Sequence, residues 1–318
     1  MTLERKCISV VVPIYNEQDT LPELWKRLQA SLATLSFENR EILLVSDGST
    51  DGSEDIIADL VHHHAEAKGV FLTRNFGHQA AVSIGLAEST GSVVTVMDGD
   101  LQDPPEVLPQ LVAALEAGAD VAYGIRKNRK ETVLRRAAYH VFYRLLHFVA
   151  ECQMPLDSGD FCCMRREVVE AIVRLPERNR FVRGLRAWVG YRQVGVEYER
   201  EERFAGRPKY TLRSLLGLAY DGLFSFSKLP ARVIQFTGFL VALISLMVAL
   251  AYVVWYFFDP KSFPRGFATL VVSIWFLGGV QLFSLGILGE YVTRTCDESR
   301  RRPVALVRQV LVSPKCRP

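Results

Sequence analysis

The 318-residue chain is 49% apolar and carries a formal net charge of +3. That length buries one sizeable α/β core with apolar sequence left over, and so small a charge excludes nucleic-acid binding driven by an overall basic surface. Six cysteines without any CxxC spacing exclude a thiolate metal cluster and read as reduced thiols facing a cytosol.

The N-terminus places Glu4, Arg5 and Lys6 ahead of an apolar run that stops at Pro13, which is too short for a signal segment and reads as an uncleaved start. The run Ile8–Ile14 reads as a buried strand. A helix follows, with Asp19 or Thr20 as its cap, Pro22 in its first turn, and Leu24, Trp25, Leu28, Leu32 and Leu35 on its apolar face. Three more strands are expected at Glu41–Val45, Val70–Thr73 and Ser92–Met97, with helical patterns at Ser53–Ala67, His78–Ser89 and Pro105–Ala117. Strand alternating with helix implies an α/β fold with a Rossmann-like, mostly parallel sheet and right-handed crossovers. Ligands of such sheets bind beyond the carboxyl ends of the strands. Tyr15-Asn16-Glu17, Asp47-Gly48-Ser49, Arg74-Asn75 and Asp98-Gly99-Asp100 all fall at those ends, so four loops are expected to form one site.

A fifth strand at Val121–Gly124, a basic helix at Thr132–Ala150, the string Asp157-Ser158-Gly159-Asp160-Phe161, a helix at Glu167–Leu175 and a strand at Gln193–Tyr198 complete a domain expected over 1–210. Leu212–Leu229 is apolar but broken by Arg213, Asp221 and Lys228, the pattern of an amphipathic membrane-interface segment over 211–231. Val233–Phe258 and Phe267–Leu288 contain no charged side chain, and each exceeds the roughly 20 residues a helix needs to cross a bilayer. The short link between them makes a transmembrane hairpin over 232–292, followed by a basic tail over 293–318. Lys228, Arg232, Arg294, Arg300, Arg301 and Arg302 outweigh Lys261 and Arg265 of the link, which puts both outer ends, and with them the domain over 1–210, in the cytoplasm.

Asp98 and Asp100 can turn toward one point if the chain bends at Gly99, where no side chain obstructs. Two hard carboxylates beside a pyrophosphate suit Mg²⁺ or Mn²⁺, and Gln102 is close enough to join directly or through water. Tyr15, Glu17 and Asp47 put a ring and two carboxylates beside that point, enough to stack on a base and accept hydrogen bonds from it and its ribose. His62-His63-His64 cannot share one ion, because consecutive helical residues point in three directions. His78 reads either as a contact to the donor or as a helix cap.

Val12-Pro13-Ile14-Tyr15-Asn16-Glu17, Val45-Ser46-Asp47-Gly48-Ser49-Thr50-Asp51, Arg74-Asn75-Phe76-Gly77, Met97-Asp98-Gly99-Asp100-Leu101-Gln102-Asp103-Pro104-Pro105 and Arg203-Phe204-Ala205-Gly206-Arg207-Pro208-Lys209-Tyr210 resemble the family 2 glycosyltransferases of GT-A fold. The likeness is to the polyprenyl-phosphate branch, which includes dolichyl-phosphate mannose synthases and bactoprenol glucosyltransferases with a two-helix C-terminal anchor. It spans nearly the whole chain. It implies an inverting transfer from a nucleotide-diphosphate sugar, with UDP-glucose ahead of GDP-mannose, UDP-GlcNAc or an amino-arabinose nucleotide, to a polyprenyl phosphate such as undecaprenyl phosphate. Carried onto matching positions, it makes Pro13, Tyr15, Glu17, Asp47, Arg74 and Asp98 nucleotide-sugar contacts, and Asp98, Asp100 and Gln102 the metal site. Arg207-Pro208 depart from the family string before the lysine. The Q-x-x-R-W box of processive synthases is absent from Arg183-Gly184-Leu185-Arg186-Ala187-Trp188, so a single sugar is transferred.

A lipid monophosphate carries close to two negative charges, and Arg126, Arg203 and Lys209 are the expected acceptor contacts. Such an acceptor is already a nucleophile and needs little help from a base. Asp157, in the family's position for a catalytic carboxylate, is therefore expected to orient rather than deprotonate, with Asp160 as the neighbouring alternative and Asp100 as the third catalytic candidate. Gly278, Gly279, Gly286 and Gly289 offer small faces for helix contact, and the resemblance implies a homo-oligomer, a tetramer being one option. A non-catalytic membrane scaffold that retains the fold is the reading from another class.

Overall fold

The structure is a computed structural model that describes residues 6–127, 158–178, 180–199 and 266–313, with isolated positions between 234 and 258. The chain divides into two compact units, Met1–Gly217 with Arg302–Pro318, and Leu218–Arg301.

In the first unit, strand β1 (Cys7–Ile14) leads to helix α1 (Leu21–Ala33) and strand β2 (Asn39–Ser46). Helix α2 (Ser53–His63), strand β3 (Ala67–Leu72), helix α3 (His78–Glu88) and strand β4 (Val93–Val96) follow. A 3-10 turn at Pro105–Val107 opens helix α4 (Leu108–Glu116), and strand β5 spans Val121–Lys127. Beyond it come strand β6 (Ser158–Arg165), helices α5 (Arg166–Arg174) and α6 (Val182–Trp188), and strand β7 (Gln193–Glu199). A last strand, β8 (Val307–Val312), closes the unit. The eight strands form one sheet in the order β7-β5-β6-β4-β1-β2-β3-β8.

The centre of that sheet is parallel, as expected: β1 pairs with β2 and β4, and β2 with β3. β1 reads as an apolar run because both its faces are covered, with Ile8, Val10, Val11, Val12 and Ile14 fully buried. Leu21, Leu24, Leu28 and Leu32 of α1 point into the same core, each worth about 1.5–3 kcal/mol of transfer free energy.

The sheet also departs from the sequence reading. β3 begins at Ala67, inside the stretch expected to be helical. β6 and β8 were not expected. β6 inserts antiparallel between β4 and β5, so its first residues lie at the carboxyl edge where β1, β2 and β4 end. β8 pairs antiparallel with β3, and Arg308 Nη2 meets Glu54 Oε2 at 2.6 Å. Residues 307–312, expected within a basic tail, are therefore an edge strand of the sheet.

In the second unit, helix α7 (Phe267–Ser299) runs 33 residues, past the expected boundary at 292. Phe276–Ser299 within it is long and apolar enough to cross a membrane by length and composition, and Leu282, Phe283, Leu285 and Leu288 are exposed on it. The described positions between 234 and 258 are helical. The expected basic helix Thr132–Ala150 and the segment Leu212–Leu229 lie outside the described residues.

Candidate functional site

The loops after β1 and β2 are knit together by side chains that read as ordinary turn residues. The Asn16 N–H donates to Ser49 Oγ at 3.1 Å, Thr50 N–H to Asn16 Oδ1 at 2.8 Å, and Glu17 N–H to Ser53 Oγ at 2.9 Å. Asn16 takes the left-handed region, φ 51°, which asparagine tolerates better than most residues. Pro13 is buried and Tyr15 exposed beside it. The Glu17 carboxylate accepts from Thr20 Oγ at 2.9 Å at the start of α1.

Asp47, 3% exposed, accepts the Phe76 N–H at 2.7 Å and the Gly77 N–H at 2.9 Å. It fixes the third strand-end loop against the second. Burial pushes its carboxyl above the usual carboxylate range, against the pull of those two N–H groups. Gly48 sits between the same loops at φ +66°, where an added Cβ would lie 2.5 Å from the Arg74 carbonyl carbon. Arg74 is exposed and stacks its guanidinium 4.1 Å over the Phe76 ring.

The fourth loop passes close under β1, since a Cβ on Gly99 would lie 2.8 Å from Ile14 Cδ1. That close approach is what lets Asp98 and Asp100 share one turn. The Gln102 N–H donates to Asp100 Oδ1 at 3.1 Å. Leu101, φ 59°, is anchored in the core at 1% exposure.

β6 completes the site. Its register with β4 pairs Val96 with Cys162, and two residues further on this sets Asp160 opposite Asp98. His78, the first residue of α3, lies between them, Nε2 at 3.3 Å from Asp160 Oδ2 and 3.6 Å from Asp98 Oδ1. Asp160 also accepts from Arg183 Nε at 3.1 Å and Gln79 Nε2 at 3.1 Å. Its carboxyl is held well below the usual range despite burial, by Arg183 and His78. Burial opposes charge on His78, yet the hydrogen bond to Asp160 and the fields of Asp98 and Asp160 hold its pKa up to about 9. Asp98 behaves in the opposite way: burial, with Asp103, Asp160 and Asp100 adding and His78 opposing, pushes it up to about 6.

The metal expectation fits this arrangement. Asp98 Oδ1 is sealed from solvent and accepts no hydrogen bond among the described residues, and repulsion from three neighbouring carboxylates is what a bound cation relieves. No three His, Cys, Asp or Glu side chains among the described residues form a complete metal-holding set, so a cation would draw further ligands from diphosphate and water. Mg²⁺ and Mn²⁺ are suited to that.

Arg126, expected at the acceptor, ends β5 on the same edge but is engaged: Nη2 lies 3.2 Å from Asp103 Oδ2 and Nε donates to Tyr198 Oη at 3.1 Å. The Tyr198 hydroxyl donates in turn to Asp103 Oδ1. The structure thus brings together Pro13, Tyr15, Glu17, Asp47, Arg74, Asp98, Asp100, Gln102, Arg126 and Asp160 at one edge of the sheet. Asp157, Arg203 and Lys209 lie outside the described residues. Gln79 and Arg183 were missed, and His78 was left undecided between two roles.

Comparison with known proteins supplies the family. A glycosyl transferase family 2 model matches residues 9–173, and a GtrB C-terminal hairpin model matches residues 230–295. An uncharacterised glycosyltransferase of Synechocystis sp. is 42% identical over 96% of this chain and 95% of its own. The bactoprenol glucosyl transferase of Shigella phage SfV is 40% identical over 95% and 98%, and a prophage bactoprenol glucosyl transferase homolog of Escherichia coli 39% over 95% and 99%. Glucosyl-3-phosphoglycerate synthase from Mycobacterium tuberculosis, solved with Mn²⁺ and UDP-glucose, is similar at 21% identity over 68% of this chain and 76% of its own, with a TM-score of 0.44. The chain belongs to glycosyl transferase family 2 and is a glycosyltransferase of α/β fold.

Proposed function

We propose that the protein moves one hexose from a nucleoside diphosphate to a polyprenyl phosphate at the cytoplasmic face of a membrane, with UDP-glucose the first donor and undecaprenyl phosphate the first acceptor to test. The reading rests on the meeting of Asp98, Asp100 and Asp160 at the carboxyl edge of the sheet, in a chain with relatives named bactoprenol glucosyl transferase.

In this reading Pro13, Tyr15, Glu17, Asp47 and Arg74 hold the nucleotide, and Asp98, Asp100 and Gln102 hold a divalent cation. The cation, when bound, supplies positive charge beside the departing diphosphate. The acceptor phosphate oxygen forms a bond to the sugar C1 on the face opposite the diphosphate, the C1–O bond to that diphosphate breaks, and UDP leaves with the bonding pair. The anomeric centre inverts and no proton need be abstracted from the acceptor. Asp160 suits this chemistry as an orienting group rather than a base, since both its oxygens accept hydrogen bonds and it stays ionised. Arg126 lends positive charge from its place beside Asp103, with Arg203 and Lys209 as further acceptor contacts. The segment 211–231 lies on the membrane surface, the hairpin over 232–292 anchors the chain, and the protein assembles as a homo-oligomer.

The test is UDP or GDP release by the purified full-length protein with Mg²⁺ or Mn²⁺, undecaprenyl phosphate and a panel of UDP-glucose, UDP-GlcNAc, GDP-mannose and the amino-arabinose nucleotide. Lipid-dependent release from UDP-glucose is expected. Release from another donor alone replaces the sugar, and release from none ends the proposal.

A further inference from the structure

The turn around Asp98 is held from outside by groups that touch neither nucleotide nor metal in the reading above. Asp160 Oδ1 takes the Arg183 Nε–H, and Oδ2 takes Gln79 Nε2–H and faces His78 Nε2. Gln79 is fixed at its other end, because its Oε1 accepts the Val182 N–H at 2.8 Å at the start of α6. Helices α3 and α6 are thereby tied to one carboxylate of β6 that is 9% exposed. From there a single side chain, His78, reaches Asp98 Oδ1, the sealed oxygen that lacks a hydrogen bond.

His78 Nε2 faces both carboxylates, Asp160 Oδ2 at 3.3 Å and Asp98 Oδ1 at 3.6 Å. The contact to Asp160 fixes the ring and places its positive charge between the two, and groups behind a metal site position its ligands in this way. The 3.6 Å gap restrains the Asp98 carboxylate electrostatically through its sealed oxygen, while the side chain as a whole stays 25% exposed and leaves its other oxygen for a cation. We infer that His78, Gln79, Asp160 and Arg183 form a positioning relay that sets the orientation of Asp98, and that Arg183 and Gln79 tune divalent-metal affinity without contacting metal or nucleotide. The inference rests on the assignment of Asp98 to the metal site.

The experiment uses full-length wild type, Arg183→Ala, Arg183→Lys, Gln79→Met and His78→Ala in detergent. Mn²⁺ binding at saturating UDP is read from the EPR signal of free Mn²⁺, and UDP binding in EDTA is read by calorimetry. Arg183→Ala and His78→Ala should weaken Mn²⁺ about 10–100-fold, the usual cost of removing a group behind a metal ligand, with Gln79→Met smaller but in the same direction. Arg183→Lys should recover part of the loss, and UDP binding without metal should stay within about twofold. Variants that melt like wild type and bind Mn²⁺ within about threefold of it overturn the relay. Should a variant fail to fold, Arg183→Lys and Gln79→Met, which keep charge or volume, carry the same comparison. Wild type that binds no Mn²⁺ with UDP instead overturns the metal site itself, a failure visible before any variant is compared.

Discussion

Asp100 and Asp103 stand three residues apart in one acidic string, and the structure separates what each is for. Asp103 is fully buried against Arg126 and Tyr198, whereas Asp100, 9% exposed, lies on the site edge and accepts the Gln102 N–H. Asp103→Asn keeps the shape and removes the charge, which leaves the Arg126 guanidinium, 18% exposed, without its counter-ion. At 3.2 Å and an effective dielectric of about 20, the lost attraction is about 5 kcal/mol. Breaking one side of a buried pair typically costs about 3–5 kcal/mol. For a domain of this size that lowers Tm by about 6–20 °C. Thermal unfolding in detergent, followed by circular dichroism, reads it directly, with Asp100→Asn as the control expected within about 1 kcal/mol of wild type. If Asp103→Asn melts within about 2 °C of wild type, the buried triad is not the structural element described, and Arg126 returns to consideration as a mobile acceptor contact.

Asp100→Asn should lower kcat for UDP release by about 10²–10³-fold, the usual cost of removing one group that stabilises transition-state charge; a loss under threefold removes it from the site. Gly48→Ala forces a left-handed φ on a residue with a Cβ and drives that Cβ into the Arg74 backbone. It should destabilise by more than the roughly 1–2 kcal/mol of the φ alone, as measured by chemical denaturation. His78 gains protons on folding, since its pKa rises from 6.5 to about 9. Its contribution is therefore full below pH 6.5 and lost as pH rises through about 9, at most about 3 kcal/mol. In EDTA, wild type should lose stability over that window more steeply than His78→Gln, and parallel curves would contradict the ion pairs drawn here.

The parallel centre of the sheet was legible because each strand announced itself locally, as an apolar run ended by a turn: Ile8–Ile14 before Tyr15, and Ser92–Met97 before Asp98. β6 was not, for it opens on Ser158-Gly159-Asp160, residues that usually end strands, and its place between β4 and β5 is set by pairing over some 65 residues of chain. The same distance hid the support of Asp160. Arg183 lies 23 residues away and Gln79 lies 81, and in sequence both look like the solvated face of a helix. Arg126 shows the same limit from the other side: a basic residue at a strand end suggests a phosphate, and nothing in the sequence shows that Asp103 of the neighbouring loop pairs with it. The Asp98-Gly99-Asp100 turn itself was readable because Gly99 states the close approach that the fold then requires.

The return of the chain to β3 as β8 has a consequence for how the enzyme is made. The ribosome delivers β1 to β7 first, then the apolar 218–301 segment, and only afterwards the residues that cover the outer edge of β3. Until Val312 emerges, β3 presents an unpaired edge, the kind that invites pairing with other chains. Completion of the catalytic sheet is thus scheduled after synthesis of the apolar segment, so a chain interrupted within that segment carries the whole carboxylate turn on a sheet that still has an open side.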